Sequence, residues 1–128
     1  MSILKAFTQQ LDNLVSNLCK LFPTDADLAV TKTSISFLIK TNPRKLQQIF
    51  NKHISIYSTQ ILGKNEKFFQ NTNFVELESK NIDNIAYANK IMSNLKKYWN
   101  IIDKESKNNI WKYLQVLIIL NNKCINSK

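Results

Sequence analysis

The residues equipped for chemistry are few: His53 is the only histidine, Cys19 and Cys124 the only cysteines, and Gly63 the only glycine in 128 residues. A single histidine excludes metal sites built on paired histidines, and two cysteines so far apart make neither a zinc cluster nor a disulfide framework. Without a glycine-rich loop there is no Walker-type or Rossmann-type phosphate cradle. At helical spacing His53 falls among Leu46, Ile49, Phe50 and Tyr57. That placement reads as a core or interface histidine bonded to a carbonyl or hydroxyl, not as a general base. Asp25 with Asp27 and Glu76 with Glu78 are close acid pairs. Two-metal or glycosidase chemistry needs carboxylates that converge across a cleft. Asp25 and Asp27 instead suit the first turn of a helix, at the positive end of its dipole, and Glu76 and Glu78 fall in an irregular stretch. Cys19 borders an apolar stripe, and neither thiol has an identifiable activating neighbour. No catalytic residue, metal site or cofactor is expected, and the chain reads as non-enzymatic.

Charge is the more informative signal. Eighteen Lys and Arg against nine Asp and Glu give a formal net charge of +9, a balance that favours polyanionic partners such as nucleic acid or an acidic surface. All of these cations except Arg44 are Lys, and Lys, Asn and Ile are abundant together. An AT-rich genome produces that composition, so part of the excess follows codon bias. The distribution is nonetheless segregated: Leu28 to Asn65 contains no acid but holds Lys32, Lys40, Arg44, Lys45, Lys52 and Lys64. Arg44, Lys45, Gln48, Lys52, Ser55 and Thr59 share one predicted helix face, which can follow a phosphate backbone while Asn42 and the helix N-terminus present N–H groups. A second group, Lys90, Lys96 and Lys97, adjoins Tyr98 and Trp99; these aromatics offer base stacking but read more naturally as core. The candidate nucleic-acid-binding residues are therefore Lys40, Asn42, Arg44, Lys45, Lys52, Lys96 and Lys97. The alternative for both groups is a solvated helix face. Nothing matches a helix-turn-helix or zinc finger, so any nucleic-acid binding would be phosphate-led and salt-sensitive.

One glycine and two prolines leave little means of tight turning, and the elements that position these residues read as helices. Ile3, Leu4, Phe7, Leu11, Leu14, Val15, Leu18 and Leu21 form one stripe, an amphipathic helix ended by Phe22-Pro23. Thr24 can cap a second helix over Asp25 to Ile39, weakened by the β-branched Val30, Thr31, Thr33 and Ile35. Asn42-Pro43 is a strong start signal for a third, Pro43 to Leu62, with Ile54, Ile56 and Ile61 on its apolar face and Gly63 as its left-handed C′ residue. Lys64 to Lys80 reads as an irregular connector anchored by Phe68, Phe69 and Phe74. A fourth helix begins near Asn81 or Asp83 and carries Ile91, Met92, Leu95, Tyr98, Trp99 and Ile102 inward, with Asn94, Lys96 and Lys97 towards solvent. Asp103 can cap the last, Lys104 to about Asn122, which is apolar over more than half its circumference. A helix of that kind is central or lies in a subunit interface, and Trp111, Val116 and Ile119 are its candidate interface residues. The prediction is one all-α domain over 1–122, a compact bundle of four to five main helices, with a frayed basic tail over 123–128.

At 44% hydrophobic residues the chain has enough apolar material for a core. Its longest uninterrupted apolar stretch, Val116 to Leu120, is far too short to span a bilayer. The N-terminus lacks the apolar core of a signal peptide, and both cysteines read as reduced thiols, so a soluble, non-secreted protein is expected. With Leu21-Phe22-Pro23-Thr24-Asp25-Ala26-Asp27-Leu28, Thr41-Asn42-Pro43-Arg44-Lys45-Leu46, Phe68-Phe69 and Ile110-Trp111-Lys112-Tyr113-Leu114-Gln115, the chain resembles short helical proteins encoded by large DNA viruses of algae and protists. These motifs are helix boundaries and core anchors, so the resemblance implies a viral origin and residence in the cytoplasm or nucleus of an infected cell, or in a virion, and transfers no functional residue. The expected function is interaction: a basic face on nucleic acid or an acidic protein surface, or alternatively a protein–protein adaptor, minor virion component or homo-oligomer using an apolar helix surface.

Overall fold

A computed structural model describes residues 2–71 and 86–126. The protein is all-α, a bundle whose described residues form no strand. Helix α1 (Ile3–Leu21) starts at Ser2, whose hydroxyl accepts from Lys5 N at 3.0 Å, and buries Phe7, Leu11, Leu14, Val15 and Leu18 as one continuous stripe. It packs against α2 (Ala26–Thr41), α3 (Pro43–His53) and the last helix, here α7 (Lys104–Asn126). That makes α1, whose inner stripe is apolar apart from Thr8, the axis of the bundle. The last helix lies along it and is not enclosed: Val116 and Ile119 are 38% and 48% exposed.

Asp25, not Thr24, caps α2 by accepting from Leu28 N at 3.1 Å. Its threonines are accommodated because their hydroxyls bond back along the helix, Thr31 to the Asp27 carbonyl at 2.8 Å and Thr33 to that of Ala29 at 3.1 Å. Asn42 caps α3 as the sequence suggests, accepting from Lys45 N at 3.2 Å with Pro43 in the first helical position.

The third predicted helix is not continuous. It ends at His53, passes through a 3-10 turn at Ser55–Tyr57 and resumes as α4 (Ser58–Leu62). The hydroxyl of Ser55 donates to the Asn51 carbonyl and that of Ser58 to the Ser55 carbonyl. The break falls where β-branched Ile54 and Ile56 disfavour a regular helix. The change of phase keeps Ile54 and Ile61 fully buried but turns Ile56 outward, 65% exposed. Gly63 is not left-handed either: it has φ −85°, and Lys64 takes the positive value, φ 53°. Asn65 N donates to the Gln60 carbonyl and Lys64 N to that of Ile61, the paired bonds of a Schellman ending with Lys64 at C′. Glycine suits position 63 for a different reason: a Cβ there would lie 3.2 Å from the Thr59 carbonyl oxygen.

Within the expected irregular connector, Glu66–Asn71 forms a short helix, α5, and Phe68 is buried with its ring 4.8 Å from that of Tyr57. Phe74, Glu76, Glu78 and the helix start expected at Asn81 or Asp83 lie outside the described residues. Helix α6 (Ala86–Tyr98) buries Ile91, Met92 and Leu95 and leads into a 3-10 turn at Trp99–Ile101. Asn94, expected to face solvent, is buried. Asp103 caps α7 by accepting from Ser106 N at 3.0 Å, as its position predicts. The tail expected to fray from Lys123 instead continues the helix to Asn126, because Cys124 is buried at 3% exposure and holds that turn on the core.

Candidate nucleic-acid interface

The candidate site is the outer face of α3 and its junction with α2. Leu46, Gln47, Ile49 and Phe50 turn inward, and the Phe50 ring meets that of Phe7 edge-on at 5.1 Å. A polar relay seats the same face: Gln47 Nε2 donates to Asn121 Oδ1 at 2.8 Å, and Asn121 Nδ2 donates to Asn51 Oδ1 at 3.0 Å. Asn121 is fully buried, so this relay fixes the register of α3 on α7 without using a charge. With that inner face fixed, Arg44, Lys45, Gln48 and Lys52 stand exposed on the other side at spacings of three and four residues. Lys40, in the last turn of α2, is exposed across the one-residue joint made by Asn42.

Three acids elsewhere form ion pairs. Asp12 pairs with Lys32 at 3.3 Å, Asp25 with Lys97 at 3.6 Å and Glu66 with Lys107 at 3.8 Å. Lys40, Arg44, Lys45 and Lys52 form no ion pair among the described residues. Arg44 is also felt at the end of α7: burial pushes the Cys124 thiol up, and the Arg44 charge opposes that shift. Lys123, exposed in the same turn, adds a cation at that end of the bundle. The sequence reading assigned it to a frayed tail and so missed it.

The structure does not bring all the candidates together. Lys97 sits beside Asp25 at the opposite end of α2 from Lys40, about 22 Å away along a helix of that length. Its ammonium also lies 4.9 Å from the centroid of the Tyr98 ring. Tyr98 donates its hydroxyl to Asp25 and stacks on Phe22 with ring centroids 3.8 Å apart. The Asp25 carboxyl is held below its usual value, first by the Tyr98 hydroxyl and then by backbone N–H groups and Lys97, against the opposing effect of burial. Lys97 therefore belongs to a structural clamp, and Lys96, exposed beside it, to the same end of the molecule.

Trp111, a candidate interface residue, is not available to a partner: it is 3% exposed, with its ring 5.3 Å from that of Trp99 in an edge-on contact. Val116 and Ile119 do reach the surface. Gln115 donates to the Leu62 carbonyl at 3.1 Å and ties α4 to α7. His53 is half-buried, and its Nε2 atom is buried without the carbonyl or hydroxyl partner expected for it. Burial, then the neighbouring Lys52 charge, lowers its pKa and favours the neutral ring. Among the described residues no three His, Cys, Asp or Glu side chains are grouped to hold a metal, and no helix is long and apolar enough to cross a membrane. No protein-family model, curated protein or solved structure matches the chain.

Proposed function

We propose that this is a non-enzymatic helical binding protein whose α3 face engages nucleic acid through phosphates, without reading sequence. One observation carries the reading: Arg44, Lys45 and Lys52 share the exposed outer face of α3, Lys40 stands exposed at its junction with α2, and none of the four forms an ion pair among the described residues. Asn42 and the start of α3 add backbone dipoles of the right sign. The protein–protein reading rests on a separate observation, the exposure of Val116 and Ile119 along α7.

Fluorescence anisotropy against random-sequence duplex and single strands tests the first reading. Four phosphate contacts give a slope of log K against log salt of about −3.6 on duplex, so affinity falls about 150-fold between roughly 50 and 200 mM salt. Triple charge reversal of Arg44, Lys45 and Lys52 to Glu abolishes binding and leaves the fold intact. Absence of binding at the lower salt, or a salt slope unchanged by the reversal, refutes it.

A further inference from the structure

We propose that the groove between α1 and α2 is a docking site for an amphipathic helix with acidic flanks, supplied by another protein. Helix α2 is apolar on two sides. Leu28 and Ile35 are fully buried in the core, yet Val30 and Phe37, two turns apart, are each 64% exposed. A surface helix that ends its packing at the core keeps its outer face polar, and Val30 and Phe37 depart from that pattern on one face, with exposed Thr33 and Ser34 between them. Beside Phe37 lies an open, predominantly apolar concavity of about 590 Å³. Its floor is made by Ala29, Thr33 and Ser36, with Cys19 of α1 as the far wall. These small side chains recur at i, i+4 and i+7 along α2 and let another backbone approach closely, while Phe37 stands at the edge as an anchor.

The shape and charge of the groove select the occupant. From Ala29 to Lys40 it runs about 16 Å, three turns of helix. A flat bilayer would touch only the rims of a concavity, and a phosphate backbone would find a carbon-lined floor. A second copy of this chain would set +9 against +9. The two charged residues lining the groove are both cations: Lys40, which has no ion pair among the described residues, and Lys32, which keeps 38% of its side chain exposed while paired with Asp12. An apolar stripe at i, i+3 or i+4, and i+7 fits the floor, and Asp or Glu beside that stripe meets the lysines, in the helix-in-groove mode of recognition.

The test uses the intact chain and two labelled helical peptides of about 16 residues, identical in a Leu stripe at i, i+4, i+7 and i+11 but flanked by Glu in one and by Lys in the other. Binding is read by anisotropy, and Thr33→Trp, which fills the floor, and Phe37→Ala are compared with wild type. Both residues are exposed, and far-UV circular dichroism verifies that the variants remain folded. The Glu-flanked peptide binds at least tenfold tighter than the Lys-flanked one, and each substitution weakens it by about tenfold or more. Lys40 is left untouched because it also belongs to the α3 face, so duplex DNA binding stays unchanged in both variants and the two readings fail independently. The proposal is overturned if the Glu-flanked peptide does not bind at about 1 mM. Equal binding of the two peptides overturns it, as does binding that survives both substitutions, or a Phe37-dependent affinity for acidic vesicles in place of the peptide.

Discussion

Removing the Asp25 carboxylate tests the clamp that joins the α1–α2 turn to α6. Only 5% of this side chain is exposed, and it does three things at once: it caps α2 at Leu28 N, accepts the Tyr98 hydroxyl, and pairs with Lys97. Loss of an N-cap costs about 1 kcal/mol, and loss of a hydrogen bond to a charged group about 1.5–3 kcal/mol. Asp25→Ala is therefore expected to lose about 2–4 kcal/mol, a large part of a typical domain's stability. Tyr98→Phe keeps the stack on Phe22 and removes only the hydroxyl, costing about 1.5–3 kcal/mol. The double variant should show a coupling of about 1–2 kcal/mol, because either single change already breaks the shared bond. Lys97→Ala should barely move the midpoint, since the lysine side chain is 62% exposed.

The same clamp sets a pH dependence. The Asp25 pKa is lowered in the fold, so its contribution is complete above the unfolded carboxyl value of about 3.9 and disappears as pH falls through the lower folded value. The Tyr98 pKa is raised, chiefly by its bond to the Asp25 carboxylate. That contribution is complete below about pH 10 and is lost as pH rises through the folded value. Asn at position 25 still caps the helix but carries no charge, so Asp25→Asn should flatten the acid limb of the stability profile while leaving α2 formed. Urea unfolding followed by the fluorescence of buried Trp99 and Trp111 provides the readout. A coupling below about 0.3 kcal/mol, or an acid limb unaltered by Asp25→Asn, would show that the contact contributes nothing in solution.

Asn121→Ala strands Gln47 in the interior and should cost about 2–3 kcal/mol, measured by urea unfolding with an unchanged m-value. Lys64→Gly relieves a side chain from the left-handed region and should stabilise by about 0.5–1 kcal/mol; a lower melting temperature would contradict the Schellman ending. Trp111→Ala should lose about 3–5 kcal/mol as a core deletion. Ile119→Asp should stay within about 0.5 kcal/mol of wild type, and any change in its sedimentation coefficient would reveal self-association through α7.

Long apolar stripes and caps were the legible part of the sequence. The stripe of α1 from Phe7 to Leu18, the Asn42-Pro43 start and the Asp103 cap lie where periodicity and capping chemistry put them. What escaped depends on competition among groups that a pattern treats alike. The apolar positions from Leu46 to Ile61 look like one helical stripe, but the chain passes through a 3-10 turn at Ser55–Tyr57 that shifts the phase, so Ile56 leaves the core. Gly63 is the residue type expected at a left-handed position, yet it has φ −85° and the next residue, Lys64, takes the positive φ of the Schellman ending. The extent of α7 turns on Cys124, which periodicity alone does not distinguish from a fraying end. At the site, the common face of Arg44, Lys45 and Lys52 follows from helical spacing. The diversion of Lys97 to Asp25 is a contact across 72 residues of sequence, with no local signal.

The arrangement of acids bears on whether the basic character of α3 is incidental. Asp12 links α1 to α2, Asp25 links α2 to α6, and Glu66 links α5 to α7. Helix α3 is seated instead by neutral groups, the Gln47–Asn121–Asn51 relay, the Asn42 cap and the Phe50–Phe7 contact. Codon bias adds lysines without regard to what holds a helix in place. It accounts for the number of cations; among the described residues, α3 is held by neutral contacts while its outer face carries Arg44, Lys45 and Lys52. Because Lys40, Arg44, Lys45 and Lys52 form no ion pair among the described residues, their reversal should have little effect on folding. A phosphate-led partner would then be lost without the protein being lost, whereas reversal at Lys97 would disturb the Asp25 clamp and confound the two.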